Sequence, residues 1–228
     1  MRRVLVTVAM ATTCILTVAS CDDATVSAET PTTETMIPRP LVARELAGLL
    51  LDPGQLDAAM GASALAVTND QSAMSDDSST IAPAECLAID GAAEAAAYAD
   101  SGSWAEHDRS LNDGDQFTHY LKQAVVLFPT PERAGEFLDA SARQWATCRQ
   151  YTHLQSGTNW SVGQISSASD ALSTTTIEQD AAAPGWGCGR ALVWRNNVIA
   201  DVNTCSANPG DSALTIANQI AANVAARW

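Results

Sequence analysis

The chain has 228 residues and carries 26 Asp or Glu against 12 Lys or Arg, a formal net charge of −14. An acidic surplus of that size repels a phosphate backbone, which excludes nucleic acid as a partner. With 46% apolar residues and six cysteines, the length fits one domain with a real core, in which the cysteines need a role of their own.

Residues 1–20 read as a signal peptide. Arg2 and Arg3 make a basic start, an apolar run follows from Val4 to Ala19, and small residues precede a cleavage point. The run is short beside the ~20 residues of a spanning helix. Val18-Ala19-Ser20-Cys21 resembles a bacterial lipobox, in which the cysteine is acylated and becomes the first residue of the mature protein. Each buried acyl CH₂ contributes about 0.8 kcal/mol, so a lipid on Cys21 is expected to anchor the protein to the outer face of the cell membrane. Residues 21–40 are rich in Thr, Glu, Ala and Pro, too polar to order themselves, and read as a disordered tether. The folded domain is expected over 41–228.

Leu41–Leu51 carries apolar residues at helical spacing. Asp52 and Pro53 read as the N-cap and first residue of a helix with Leu56 and Met60 inward and Gly61 at its end. Leu65–Thr68 is a short strand, Asn69–Ser79 an acidic loop and Ala92–Tyr98 a helical turn. Trp104–Leu111 and Phe117–Phe128 read as strands joined through Asp113-Gly114, a strong hairpin signal. Counting from that turn places His119 opposite Asp108 and His107 opposite Tyr120. Pro129-Thr130-Pro131 then starts a helix whose buried stripe is Ala134, Phe137, Leu138, Ser141, Trp145 and Cys148. Trp160–Ser167 pairs with Leu172–Glu178, and Pro209-Gly210-Asp211 introduces a last helix with Leu214, Ala217, Ile220 and Val224 on one face. Strands in the middle and helices at the ends predict an α+β fold, a twisted antiparallel sheet flanked by helices.

Trp186–Cys205 is the most informative stretch. Two β-rich runs flank Asn196-Asn197, and asparagine tolerates the positive φ of a primed hairpin turn. Counting outward, Arg195 faces Val198, Trp194 faces Ile199, Leu192 faces Asp201 and Cys188 faces Cys205. With Cys14 lost to the signal peptide and Cys21 to the lipid, four cysteines remain, which allow three connectivities of two disulfides. The register selects Cys188–Cys205, on a closely spaced cross-strand pair. Cys86–Cys148 follows by elimination. One hairpin face, with Gly189, Ala191, Val193, Val198, Ala200 and Val202, is small and apolar and suits a core. On the other, Arg190 lies across from Asn203 and diagonal to Asp201. Arg190, Trp194, Asp201 and Asn203 are therefore candidate binding residues on a rigid ribbon. The bland alternative is that helices cover this face and Arg190 merely pairs with Asp201.

Catalytic signatures are absent: there is no Gly-x-Ser-x-Gly, no His-Glu-x-x-His and no Gly-rich phosphate loop before a helix. The cysteine spacings do not fit a zinc site, so neither metal nor cofactor is expected. His119 with Asp108 would supply part of a hydrolase triad, although nothing identifies a serine beside them and solvated cross-strand pairing accounts for both.

Several segments together resemble the PknH-like extracellular sensor domain of mycobacteria, which also occurs in free-standing lipoproteins. They are Leu49-Leu50-Leu51-Asp52-Pro53 with Gly61, Cys86, Tyr98 with Ser101-Gly102, Gln123–Pro129, Trp145 with Cys148, Cys188 with Arg190-Ala191-Leu192, Arg195-Asn196-Asn197, Asp201-Val202 and Cys205. The resemblance implies an α+β domain with two disulfides and a cleft for an unidentified ligand. The chain departs from the mycobacterial serine/threonine kinases that carry this domain in having a lipobox where they have a kinase domain and a spanning helix. The resulting expectation is a non-catalytic, membrane-anchored lipoprotein that binds a small-molecule or cell-envelope ligand. A secreted hydrolase and an envelope scaffold are the alternatives.

Overall fold

The computed structural model describes residues 38–227, so the signal peptide, Cys21 and nearly all of the tether lie outside the described residues. Ten strands form one antiparallel sheet: β1 (Ala66–Gln71), β2 (Ile81–Ala82), β3 (Ala105–Asn112), β4 (His119–Leu127), β5 (Gln150–His153), β6 (Asn159–Val162), β7 (Ser166–Ser167), β8 (Ala171–Glu178), β9 (Trp186–Arg195) and β10 (Val198–Ala207). Their order is β1-β3-β4-β10-β9-β8-β6-β5-β2, with β7 paired to β8. The helices are α1 (Pro53–Met60), the short α2 (Leu87–Asp90) and α3 (Ala95–Tyr98), α4 (Pro131–Trp145) and α5 (Ser212–Ala225), preceded by a 3₁₀ turn at Ala43–Leu49. This is the α+β architecture expected, with a larger sheet than the sequence revealed.

The β9–β10 hairpin has the register read from its turn, from Arg195 opposite Val198 to Cys188 opposite Cys205. Asn196 takes φ +53°. Asn197 has a different task, because its side chain accepts from the Leu41 amide at 2.7 Å and donates to the Phe128 carbonyl at 2.8 Å. The turn thereby clamps the start of the domain and the end of β4, which runs beside β10 from Leu127 opposite Val198 to His119 opposite Ser206. Both disulfides are formed, Cys188–Cys205 within the hairpin and Cys86–Cys148 across a sequence separation of 62. By loop-closure entropy they contribute about 3 and 4 kcal/mol respectively.

Strand alternation divides the buried side chains into two cores. On one face Leu121, Val125, Ala191, Val193, Val198, Ala200 and Val202 meet Ile216, Ala217, Ile220 and Val224 of α5 and the leucines of the first two helical segments. On the other, Val126, Phe128, Leu192 and Ile199 meet Ala134, Leu138 and Trp145 of α4. Asp52 caps α1 by accepting from the Gln55 amide, and Gly61 ends it at φ +67°. Thr130 caps α4. The close approach of α4 requires Gly135, where a Cβ would stand 3.1 Å from the Trp194 ring.

The β3–β4 connection differs from the expected two-residue turn. Asn112 pairs with Tyr120, and the loop between them closes on the Asp113 carboxylate, which accepts from the amides of Thr118 (2.8 Å) and His119 (3.1 Å). This longer loop moves Asp108 opposite Ala124 and His107 opposite Val125. Asp108 and His119 consequently project from opposite faces of the sheet. The acidic stretch after Thr68 is also partly strand, since β1 continues to Gln71 along β3.

Candidate functional site

Helix α4 covers only the turn end of its sheet face. At the other end a cleft of about 330 Å³ opens over the Cys188–Cys205 disulfide. Tyr120 and Lys122 of β4 and Asn203 of β10 join the disulfide in its floor, since all lie on one face by alternation. Trp160 and His153 form one wall, and Phe117 and Trp186 stand at the mouth with ring centroids 6.3 Å apart. Ser75, Asp77 and Glu94 form the opposite wall. It is built by backbone bonds that clip Ser75 to the 93–95 segment, Ser75 N–H to Ala93 O at 3.2 Å and Ala95 N–H to Ser75 O at 2.7 Å.

The charges in the cleft are partly matched. His153 Nε2 sits 2.7 Å from Asp90 Oδ1, and that hydrogen bond raises the histidine pKa against the effect of burial. The only lysine of the chain, Lys122, is almost buried; its Nζ donates to Ser75 Oγ at 2.8 Å and lies 3.7 Å from Asp108 Oδ2. Glu94 is 3% exposed, and burial pushes it up to about 7. Among the described residues no nucleophile is hydrogen-bonded to His153.

Of the four hairpin residues expected to bind, only Asn203 lines this cleft. Arg190 and Asp201, 3% and 0% exposed, form an ion pair sealed beneath α4 and α3. Asp201 Oδ2 also accepts from the Ala93 amide at 2.9 Å and the Tyr98 hydroxyl at 2.8 Å, while Arg190 lies over the Trp145 ring, 5.3 Å from its centroid. Trp194 packs on α4 and donates to the Asn196 carbonyl at 2.6 Å. The hydrolase pair is corrected outright. His119 bonds Asp113 at 2.9 Å, whereas Asp108 is fully buried beside Lys122 and accepts from Gln71. The cleft residues that sequence reasoning passed over had a usable signal. Trp186 shares the strand parity of Cys188 and Arg190, and Lys122 is a lone charge at the start of an apolar strand.

Residues 41–223 match the PknH-like extracellular domain family. The chain belongs to that family. Over 192 residues, 82% of the chain, it is 30% identical to the serine/threonine-protein kinase PknH of Mycobacterium bovis and equally to that of Mycobacterium tuberculosis. It spans less than a third of the length of these kinases, 31% and 30%. The crystal structure of the extracellular domain of PknH from Mycobacterium tuberculosis superposes with a TM-score of 0.78 at 27% identity, covering 83% of this chain and 99% of that one. The match is to the sensor-type extracellular domain of the kinase and not to its kinase domain. An extracellular-type domain with two disulfides belongs outside the cytoplasm.

One carboxyl of this PknH-like domain lies buried without a partner. Glu106 of β3 is 6% exposed, and neither of its oxygens is hydrogen-bonded among the described residues. Burial, reinforced by the neighbouring Asp108, pushes its pKa from 4.5 up to about 8. The folded protein therefore keeps a proton that the unfolded chain releases above 4.5, and stability falls as pH rises from 4.5 towards 8. Glu106→Gln removes this proton linkage. Calorimetric melting across that window is expected to show a shallower decline for the variant than for the wild type. An equally steep decline would show that Glu106 ionises freely in the folded state.

Proposed function

We propose that this chain is a cell-envelope lipoprotein whose sensor-type domain binds a ligand in the cleft over the Cys188–Cys205 disulfide and catalyses nothing. The observation that carries this reading is the cleft's composition. Aromatic faces and charged groups converge on a stiff hairpin floor, as in sites that orient a small molecule. Membership in a family of extracellular sensor-type domains supports it. The lipid on Cys21 would hold the domain at the outer face of the membrane, with residues 21–40 as spacer.

Cys21→Ala is expected to move the protein from the membrane fraction to the culture medium or wash, as read by fractionation and immunoblotting. Continued retention in the membrane would overturn the anchor. For the cleft, solvent-fractionated envelope extracts are titrated into the full chain while tryptophan emission and melting temperature are followed. At least one fraction is expected to shift both signals in the wild type and to lose that effect in Trp186→Ala. A response identical in the two proteins, or none from any fraction, would count against the cleft as a binding site.

A further inference from the structure

A second groove of about 370 Å³ adjoins the cleft, and the two share Phe117 and Trp186. Its character is different. Beyond the shared rings it is lined by Ala181, Ala182, Ala183 and Ala207, with Thr118 and Glu178 at the edge. Short apolar side chains beside two aromatic rings make a trough suited to a slender hydrocarbon and offer little to a polar group. Phe117 is 43% exposed at the junction, a large apolar surface left in water between the two compartments.

The polar compartment has a charge preference. Its two cationic groups already face carboxylates, His153 with Asp90 and Lys122 with Asp108. Asp77 and Glu94 are the surplus: His153 and Lys122 act on them as well, but two cationic groups face four carboxyls. Glu94 Oε2 accepts from the Asp77 amide at 2.9 Å, while its other oxygen accepts no hydrogen bond from the described residues. Burial and the neighbouring Asp77 hold a proton on Glu94, and a cation bound beside the pair would take its place and stabilise the ionised form. Tyr120, Trp160 and Trp186, aromatic residues of the kind that attract cationic head groups, line the same cleft.

We propose that the two grooves form one bipartite site for a cationic amphiphile, with an ammonium head at Asp77 and Glu94 and a single apolar chain running past Phe117 and Trp186 into the alanine trough. This rests on the cleft being a ligand site and goes further by naming the ligand's chemical class. Exposed carboxylates or an exposed phenyl ring alone would not select such a molecule. It is the adjacency of an anionic pocket and an apolar trough, joined by two rings, that does.

The test uses octyltrimethylammonium, hexyltrimethylammonium, tetramethylammonium and octyl sulfate, each below its micellar concentration, titrated into the full chain and read by calorimetry and tryptophan emission. Octyltrimethylammonium is expected to bind at least tenfold more tightly than octyl sulfate. Two buried CH₂ groups at about 0.8 kcal/mol each should separate octyl from hexyl by on the order of tenfold. Glu94→Gln should weaken the ammonium probes and leave octyl sulfate unchanged, whereas Ala182→Asp, at an exposed position, should abolish the gain from hexyl to octyl. Circular dichroism and melting curves establish that both variants are folded. Equal binding of octyl sulfate, no dependence on chain length, or indifference to both substitutions would overturn the inference. If envelope fractions give a Trp186-dependent signal while none of these probes binds, the cleft stands as a ligand site and the amphiphile assignment falls. If neither gives a signal, both fall.

Discussion

The Asp201 carboxylate is the constraint on which the arrangement of this domain depends. It lies within β10, an interior strand of the sheet, entirely removed from water, and a carboxylate in that position needs charge and hydrogen bonds from its surroundings. Arg190 on the neighbouring strand supplies the charge. The Tyr98 hydroxyl and the Ala93 amide supply two hydrogen bonds from a segment more than a hundred residues earlier in the chain. Removing one member of such a pair typically costs about 3–5 kcal/mol, because the other is left buried and alone. The 92–98 segment is therefore obliged to lie on the sheet, and Arg190, stacked over Trp145, ties α4 to the same point.

That knot also explains why one end of the sheet face is closed and the other open. Around Asp201 the cover is continuous, with Tyr98 stacked on Phe137 at 4.4 Å and Phe137 against Phe128. Moving along β10 away from the turn, the next residues on that face are Asn203 and Cys205, where α4 no longer reaches. The segment held down at Ala93 presents Glu94 to this open end and carries Ser75 and Asp77 with it through the backbone clip. Folding energetics in the sealed half thus position the wall of the cleft. The Cys188–Cys205 disulfide marks the boundary and stiffens the floor.

Much of this was legible in the sequence where local chemistry decides structure. The Asn196-Asn197 turn determines a register that carries through to the disulfide, and the Asp52-Pro53 and Thr130-Pro131 caps begin their helices where expected. The reading failed where a side chain replaced the backbone signal. Asp113-Gly114 has the composition of a tight turn, but the Asp113 carboxylate gathers the Thr118 and His119 amides into a longer loop, and an odd-numbered shift in register sends Asp108 and His119 to opposite faces. The mixed face of the hairpin is separate from its core face, and its charges, Arg190 and Asp201, form a buried pair. Which half of that face is covered depends on α3 and α4, elements far away in sequence. The short strands β5 and, at the sheet edge, β2, which place His153 beside Asp90, have no periodicity long enough to announce them.

The proposed role of the open end of the sheet face is to hold a ligand. A crystal structure of the full chain purified from its own cell envelope, without delipidation, tests this most directly. Electron density for a bound molecule is expected over the disulfide, in contact with Trp160 and Trp186 and reaching the Asp77–Glu94 wall. A cleft that refines with solvent alone in protein so prepared, or that is filled by the side chains of its own loops, would contradict it.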